Sequence, residues 1–365
     1  MLQMATERGD SGRRQKNRPP AFRNLISEPG TDSPTTPQTE SIQPVALTGK
    51  AVASLSDHTE VQVNGNKITV AIKDMESIHK LGEGQYGVVE KMRHKPSSLI
   101  FAVKKIRCSM NDKEQRRLLN DLNISMRSTK CPYVVISYGA MFQGGDVWIC
   151  MELLDSSLDK FYHKIKDKDP KAFIPERLLA YITFCLVTAL EYLHRELHVI
   201  HRDVKPSNTL IDKRGRVKVC DFGISGDLIN SMAKTNIGSQ PYLAPERINP
   251  DPSGSGYSIR SDVWSLGLSV LELAICKFPY SRWNSLFDQL KDVVASDTPP
   301  ALPNDSTYSN TVRHFISQCL IKKDSDRASY DVLIEHEMLT PFKNEKYLQE
   351  SKTRFAEYAT DVLLG

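Results

Sequence analysis

The sequence predicts an α+β protein of two lobes, a small strand-rich lobe followed by a larger helical one. Three observations carry this. Apolar runs of strand length concentrate between residues 75 and 154. From Pro175 onward the pattern changes to long stretches with helical spacing. Ahead of both, residues 1–58 are rich in Ser, Thr, Pro, Gln and Arg and show no hydrophobic period, which predicts a disordered tail. With 365 residues, 40% of them hydrophobic and 25% charged, the chain has ample apolar material for a large core.

The elements follow in order. Residues 61–70 alternate around Asn64-Gly65, the strongest short signal for a hairpin, and place one within 59–74. Gly87-Val88-Val89 and Ile100-Phe101-Ala102-Val103 are β-type runs. Residues 113–126 put Leu118, Leu119, Leu122 and Met126 on one face, which predicts the single helix of the small lobe. Residues 147–151 form another strand-length run. The small lobe therefore spans 75–154 and the helical lobe 155–340. Residues 176–197 carry Leu178, Leu179, Ile182, Leu186, Ala189, Leu190 and Leu193 at helical spacing. More helices are predicted near 261–275, 284–295, 310–320 and 330–337. A turn-rich loop is predicted at 249–256, and the extension 341–365 holds one more short amphipathic helix.

Composition excludes several classes. A formal net charge of +4 is too small to argue for nucleic acid as a partner. The basic bias is local: residues 11–26 hold Arg13, Arg14, Lys16, Arg18 and Arg23 with no acid among them. The 7 cysteines are scattered singly, without a CxxC pair, which argues against zinc. Their odd number and the lack of a signal peptide argue for reduced thiols in the cytoplasm, with the nucleus as a further compartment. No apolar run reaches the length of a membrane span, so no membrane partner is expected. The run at 263–276, broken by Ser265, Ser269 and Glu272, reads as a buried helix.

Chemistry-bearing residues gather in a few stations. Residues 82–88 read Gly82-Glu83-Gly84-Gln85-Tyr86-Gly87-Val88. Glycines let a backbone approach phosphate where a Cβ would clash, although a tight hairpin would want them too. Lys104 follows in Ala102-Val103-Lys104. Further on stands His201-Arg202-Asp203-Val204-Lys205-Pro206-Ser207-Asn208, then Asp221-Phe222-Gly223, then Ala244-Pro245-Glu246.

In order and spacing these stations resemble the catalytic loop, metal loop and activation-segment anchor of protein kinases. The resemblance implies the bilobal protein kinase fold, with ATP and magnesium as cofactors. It puts Leu81, Gly82, Glu83, Gly84, Gln85, Tyr86, Gly87, Val88, Val89 and Ala102 around the nucleotide, with Met151, Glu152 and Leu154 at the hinge. Lys104 would hold phosphates and pair with an acid on the 113–126 helix. Asp121 is that acid, one methylene shorter than the Glu usual in the family, and Glu114 is its rival. Asp203 would orient the acceptor hydroxyl and take its proton, and Lys205 would reach the γ-phosphate. Asn208 and Asp221 offer the hard oxygens that magnesium prefers. Arg202 would meet a phosphate on the activation segment. Glu246 would form a buried ion pair with Arg327, and Asp262 would tie down the catalytic loop from a core helix. Cys220 either faces the nucleotide or is an inert buried thiol.

A narrower resemblance rests on longer strings: VVEKMRH at 88–94, GDVWICMEL at 145–153, LDKFY at 158–162, CDFGISG at 220–226 and Ser231-Met232-Ala233-Lys234-Thr235. These are similar to the dual-specificity mitogen-activated protein (MAP) kinase kinases. That implies activation by phosphorylation at Ser231 and Thr235 by an upstream MAP kinase kinase kinase. It implies transfer to Thr and Tyr in the activation lip of a stress-activated MAP kinase, with a scaffold as a further partner. The run 283–290 looks closer to activators of the c-Jun N-terminal kinase branch, which is the alternative. A pseudokinase scaffold is the alternative from another class. The stretch from Thr235 to Glu246 is about one residue shorter than the family pattern. The basic segment, followed by Phe22, Leu25 and Ile26, has the make-up of a docking site for an acidic groove, or of a plain solvated tail.

Overall fold

A computed structural model describes residues 42–44, 56–84, 87–107, 122, 125–222, 241–250, 258–280, 283 and 285–365. The first sheet has strand order β1-β2-β3, with β1 at Ile42–Pro44, β2 at His58–Val63 and β3 at Asn66–Ala71. Asn64 and Gly65 both take positive φ, 50° and 83°, the demand of a tight hairpin that this dipeptide meets. Strand β1 corrects the expectation of a disordered tail running to residue 58. Ile42 stands opposite Val63 and Pro44 opposite Val61. Three residues carry no period to read, and Pro44 sits on the edge strand, where its missing N–H is tolerated.

The small lobe is a five-stranded antiparallel sheet ordered β4-β5-β6-β8-β7. Its strands are β4 (Met75–Gly84), β5 (Gly87–His94), β6 (Ile100–Arg107), β7 (Ser137–Gln143) and β8 (Asp146–Met151). The first sheet packs against it, and Val61, Val63, Val70 and Ile72 share one core with Phe101, Val103, Met141 and Cys150. A Cβ at Gly139 on β7 would stand 2.2 Å from Thr59 Oγ1, so the close approach of the two sheets requires glycine there. Of the helix expected over 113–126, Leu122, Ser125 and Met126 are helical, and the other residues lie outside the described set.

The large lobe opens with β9 (Ser156–Ser157) and α1 (Leu158–Lys168), then α2 (Glu176–Leu197). Strands β10 (Thr209–Ile211) and β11 (Val217–Val219) complete a small sheet with β9. Helices α3 (Pro245–Ile248), α4 (Ile259–Ile275), α5 (Leu286–Gln289), α6 (Asn310–Cys319), α7 (Tyr330–Ile334) and α8 (Glu345–Leu364) follow. Helix α4 is apolar nearly all round and fully central, with Trp264, Leu266 and Leu268 at 0% exposure, which is what a helix in a large core looks like. The helix expected at 284–295 is a short α5 that widens into a π-helix at Leu290–Ala295.

The C-terminal helix is longer than the short one expected. Helix α8 runs for 20 residues because its apolar face is buried. Phe355 packs 6.0 Å from Phe161 on α1 and 5.7 Å from Tyr181 on α2. Gly215, at φ 75°, turns the β10–β11 connection beneath α8, where a Cβ would lie 2.3 Å from Lys352 O. No helix among the described residues is long and apolar enough to cross a membrane.

Candidate active site

A cavity of about 470 Å³ lies between the lobes. Leu81, Gly82, Glu83, Gly87, Val89, Ala102 and Lys104 line it from the small lobe, and Met151, Glu152 and Leu154 line it at the hinge. Asp203, Lys205, Asn208, Cys220 and Asp221 line it from the large lobe.

The catalytic loop is held from beneath. Asp262, in the first turn of α4 and 0% exposed, accepts from the backbone N–H of His201 at 2.8 Å and of Arg202 at 2.9 Å. Arg202 takes φ 70°, a conformation that non-glycine residues hold only when the surroundings impose it. The backbone N–H of Asp203 donates to His201 Nδ1 at 3.2 Å. That makes Nδ1 an acceptor and leaves the ring proton on Nε2, which donates to Cys220 O at 3.0 Å. His201 thus joins the loop bearing Asp203 to the strand leading to Asp221.

Asp203 Oδ2 accepts from Lys205 Nζ and from Asn208 Nδ2, both at 2.8 Å. Asn208 Nδ2 also donates to Asp203 O at 2.8 Å. Both N–H donors of this amide are spent on Asp203, so ligation by Asn208 falls to its carbonyl oxygen. Across the cavity, Asp221 takes φ 60° and its Oδ1 accepts from Lys104 Nζ at 2.7 Å. Phe222 is buried, its ring 6.4 Å from that of His201, which turns Asp221 toward the cavity.

These residues fit a nucleotide and a hard divalent ion. A Cβ at Gly87, which has φ 121°, would stand 1.9 Å from Lys105 O, so the roof of the cavity leaves no room for a side chain there. Two carboxylates and an amide oxygen are the donor type for an ion that also takes phosphate oxygens and water. Among the described residues no group of three or more His, Cys, Asp and Glu is placed to hold a metal by itself. Burial and the neighbouring Asp221 charge push the Cys220 thiol up, which disfavours its thiolate.

Glu246 and Arg327 are brought together from 81 residues apart. Nη1 donates to Oε1 at 2.9 Å and Nη2 to Oε2 at 3.0 Å. The remaining guanidinium N–H groups reach Ile321 O, Arg260 O and Lys322 O, so all five donors of this fully buried side chain are used. Burial alone would push the Glu246 carboxyl up. The Arg327 hydrogen bonds and charge, with a bond from Ser261, outweigh it and hold the carboxyl below its ordinary value. Tyr242, in the segment before Glu246, donates to Glu272 on α4 at 2.6 Å, and Tyr162 on α1 donates to its other oxygen at 2.6 Å. Burial raises the Glu272 carboxyl above its ordinary value.

Some expected positions differ. Glu152 lines the cavity, but its carboxylate serves an ion network with Lys218, at 2.7 Å, and with Arg216, behind the hinge. Its side chain therefore does not face a nucleotide. Val88 does not line the cavity, because the pleat turns it to the other face of β5 from Gly87 and Val89. Gly84 stands opposite Gly87 at the tip of the β4–β5 pair. Gln85, Tyr86, Asp121, Ser231 and Thr235 lie outside the described residues, as do the basic segment 11–26 and most of the loop 249–256. Residues not foreseen at the site include His201 as an orienting group, and Asp159 and Lys160 at the cavity mouth. The order of motifs gave no hint of the latter two, which reach the cavity only through the placement of α1.

Fold and site define a phosphoryl-transfer enzyme: a positioned carboxylate, a buried lysine and hard oxygen donors around a cleft between two lobes. The protein kinase domain model matches residues 75–339. The chain is 44% identical over 301 residues to dual specificity mitogen-activated protein kinase kinase sek-1 of Caenorhabditis elegans, covering 81% of this chain and 87% of that one. It is 48% identical over 270 residues to MAP kinase kinase mkk-4 of the same organism, covering 73% of each. To dual specificity mitogen-activated protein kinase kinase 7 of Rattus norvegicus it is 40% identical over 303 residues, covering 82% of this chain and 70% of the other. The chain belongs to the protein kinase family, and within it to the dual-specificity MAP kinase kinases. ATP and a divalent metal ion are what this family uses.

Proposed function

We propose that this kinase transfers the γ-phosphoryl of ATP, with magnesium as its ion, to Thr and Tyr in the activation lip of a stress-activated MAP kinase. Phosphorylation of Ser231 and Thr235 by an upstream MAP kinase kinase kinase switches it on. The observation that carries the reading is the pair of anchored carboxylates. Asp203, fixed by Lys205 and Asn208, and Asp221, paired with Lys104, line one cavity.

The residues act in a simple division of labour. Asp203 receives the acceptor hydroxyl and takes its proton as the phosphoryl leaves the nucleotide. Lys205, already on Asp203, is placed to meet the γ-phosphate. Lys104 holds phosphate oxygens, and its burial excludes water from that charge. Asp221 and the amide oxygen of Asn208 would hold the ion, which when bound neutralises phosphate charge. Arg202, beside the base, would meet the phosphorylated activation segment. The protein works in the cytoplasm and draws its substrate partly through the basic segment 11–26, and a scaffold is compatible with that docking.

The test is a panel of catalytically dead MAP kinases incubated with the primed protein and MgATP, with the modified residues mapped. Doubly phosphorylated Thr and Tyr on a stress-activated member is expected. Modification confined to c-Jun N-terminal kinases would favour the other branch, as the 283–290 run suggests. Absence of label on any lip residue would refute the reading. Ser231→Ala with Thr235→Ala should abolish activation by the upstream kinase, and deletion of residues 1–30 should raise KM for the MAP kinase.

A further inference from the structure

Helix α1 carries Lys160, Lys164 and Lys168 at four-residue spacing, which puts all three on one face. Each ammonium donates to a main-chain carbonyl of another element. Lys168 reaches Asp361 O, which also accepts from the backbone N–H of Gly365, at 2.6 Å, and Lys164 reaches Leu363 O at 3.3 Å, both in the last turn of α8. Lys160, in the first turn of α1, reaches Leu81 O on β4 at 3.0 Å. That last bond crosses from the large lobe to the small one.

The acceptor is set by the strand itself. In the β4–β5 ladder Lys80 pairs with Glu90 and Gly82 with Val89. Leu81 is the extra residue of a bulge, opposite no residue of β5, and bulges re-aim the groups they carry. Leu81 and Lys160 both line the mouth of the cavity. The base of Lys160 is stiff, because Phe161 and Tyr162 beside it are buried and the far end of α1 is stapled to α8.

We infer that Lys160 is a positioning residue, a latch that holds β4 down over the nucleotide cleft and must open each time nucleotide enters or leaves. The inference rests on the nucleotide reading of the cavity. Lys160 is exposed to solvent, so the latch is weak enough to open on every turnover. A latch has a kinetic mark that a direct contact to nucleotide lacks. Removing a latch speeds traffic in both directions, whereas removing a contact speeds release alone.

Stopped-flow binding of a fluorescent ADP analogue to the full-length protein and its variants tests this. In Lys160→Met, entry and release should both rise by about three- to tenfold, the scale of one exposed charge-assisted hydrogen bond. Lys160→Arg, which keeps a donor at that reach, should stay close to wild type. Faster release with unchanged entry would overturn the latch in favour of direct contact. Unchanged rates in the methionine variant, or an arginine variant indistinguishable from it, would also overturn it. A wild-type protein that takes up no nucleotide would instead remove the reading of the cavity, and the latch with it.

Discussion

Asp262→Ala removes the support of the catalytic loop without touching the cavity. Two backbone N–H groups, of His201 and Arg202, lose a buried carboxylate at 2.8 and 2.9 Å. Each buried donor left without a partner costs about 1–3 kcal/mol. Arg202 at φ 70° then loses one of the bonds that hold it there, and any relaxation of that backbone returns part of the loss. The two donors together cost about 2–6 kcal/mol, a large part of the roughly 5–15 kcal/mol by which domains are stable. At about 2–4 °C per kcal/mol, the thermal midpoint should fall by roughly 4–24 °C. Asp262→Asn keeps one carbonyl acceptor and should lose about half as much. Circular-dichroism melts of the three proteins measure this, and kinase assays at 20 °C below each midpoint follow Asp203. A fall of less than about 2 °C for the alanine variant would refute the claim that Asp262 holds the loop.

Three other outcomes are expected. Lys104→Met should reduce phosphoryl transfer by at least ~100-fold while the melt keeps its cooperativity, since methionine fills a buried site and removes the positive charge that meets Asp221. Glu246→Gln should lose about 3 kcal/mol at pH 7 by breaking a buried ion pair. Its folded pKa is lowered, so that contribution is complete above the ordinary value of 4.5 and fades as pH falls through the lowered one. The gap between wild type and Glu246→Gln should therefore narrow in melts below pH 4.5, and a gap constant into that range would contradict the ion pair. Gly215→Ala should lower the thermal midpoint, because its Cβ would meet Lys352 O at 2.3 Å and φ 75° adds strain. An unshifted midpoint would show that the β10–β11 turn does not rest on α8.

Legibility in the sequence tracks how local the cause is. The hairpin at Asn64-Gly65 was readable because the dipeptide itself meets the need for positive φ. Helix α2 was readable to the residue because its apolar period is long and ends where His198 turns left-handed, at φ 57°. Strand β1 was not, since three residues hold no period and pairing with β2 alone makes them a strand. The length of α8 was also hidden, because Phe355 is buried against partners it meets on α1 and α2. At the site, motif order singled out Asp203, Asn208 and Asp221, which line one cavity, but it could not show that Lys104 would lie on Asp221, 117 residues away. Nor could it show that the Glu152 carboxylate would turn from the cavity to Lys218 and Arg216. Those choices are settled through space by charge and burial.

In the proposed reaction Asp203, anchored by Lys205 and Asn208, serves the acceptor hydroxyl. The most direct measure of that role is single-turnover transfer of the labelled γ-phosphoryl from ATP to a catalytically dead MAP kinase, comparing wild type with Asp203→Asn after equal priming. The variant should bind nucleotide as wild type does and transfer about 10²- to 10⁴-fold more slowly. Transfer at the wild-type rate by a folded Asp203→Asn protein would show that Asp203 does not serve the hydroxyl.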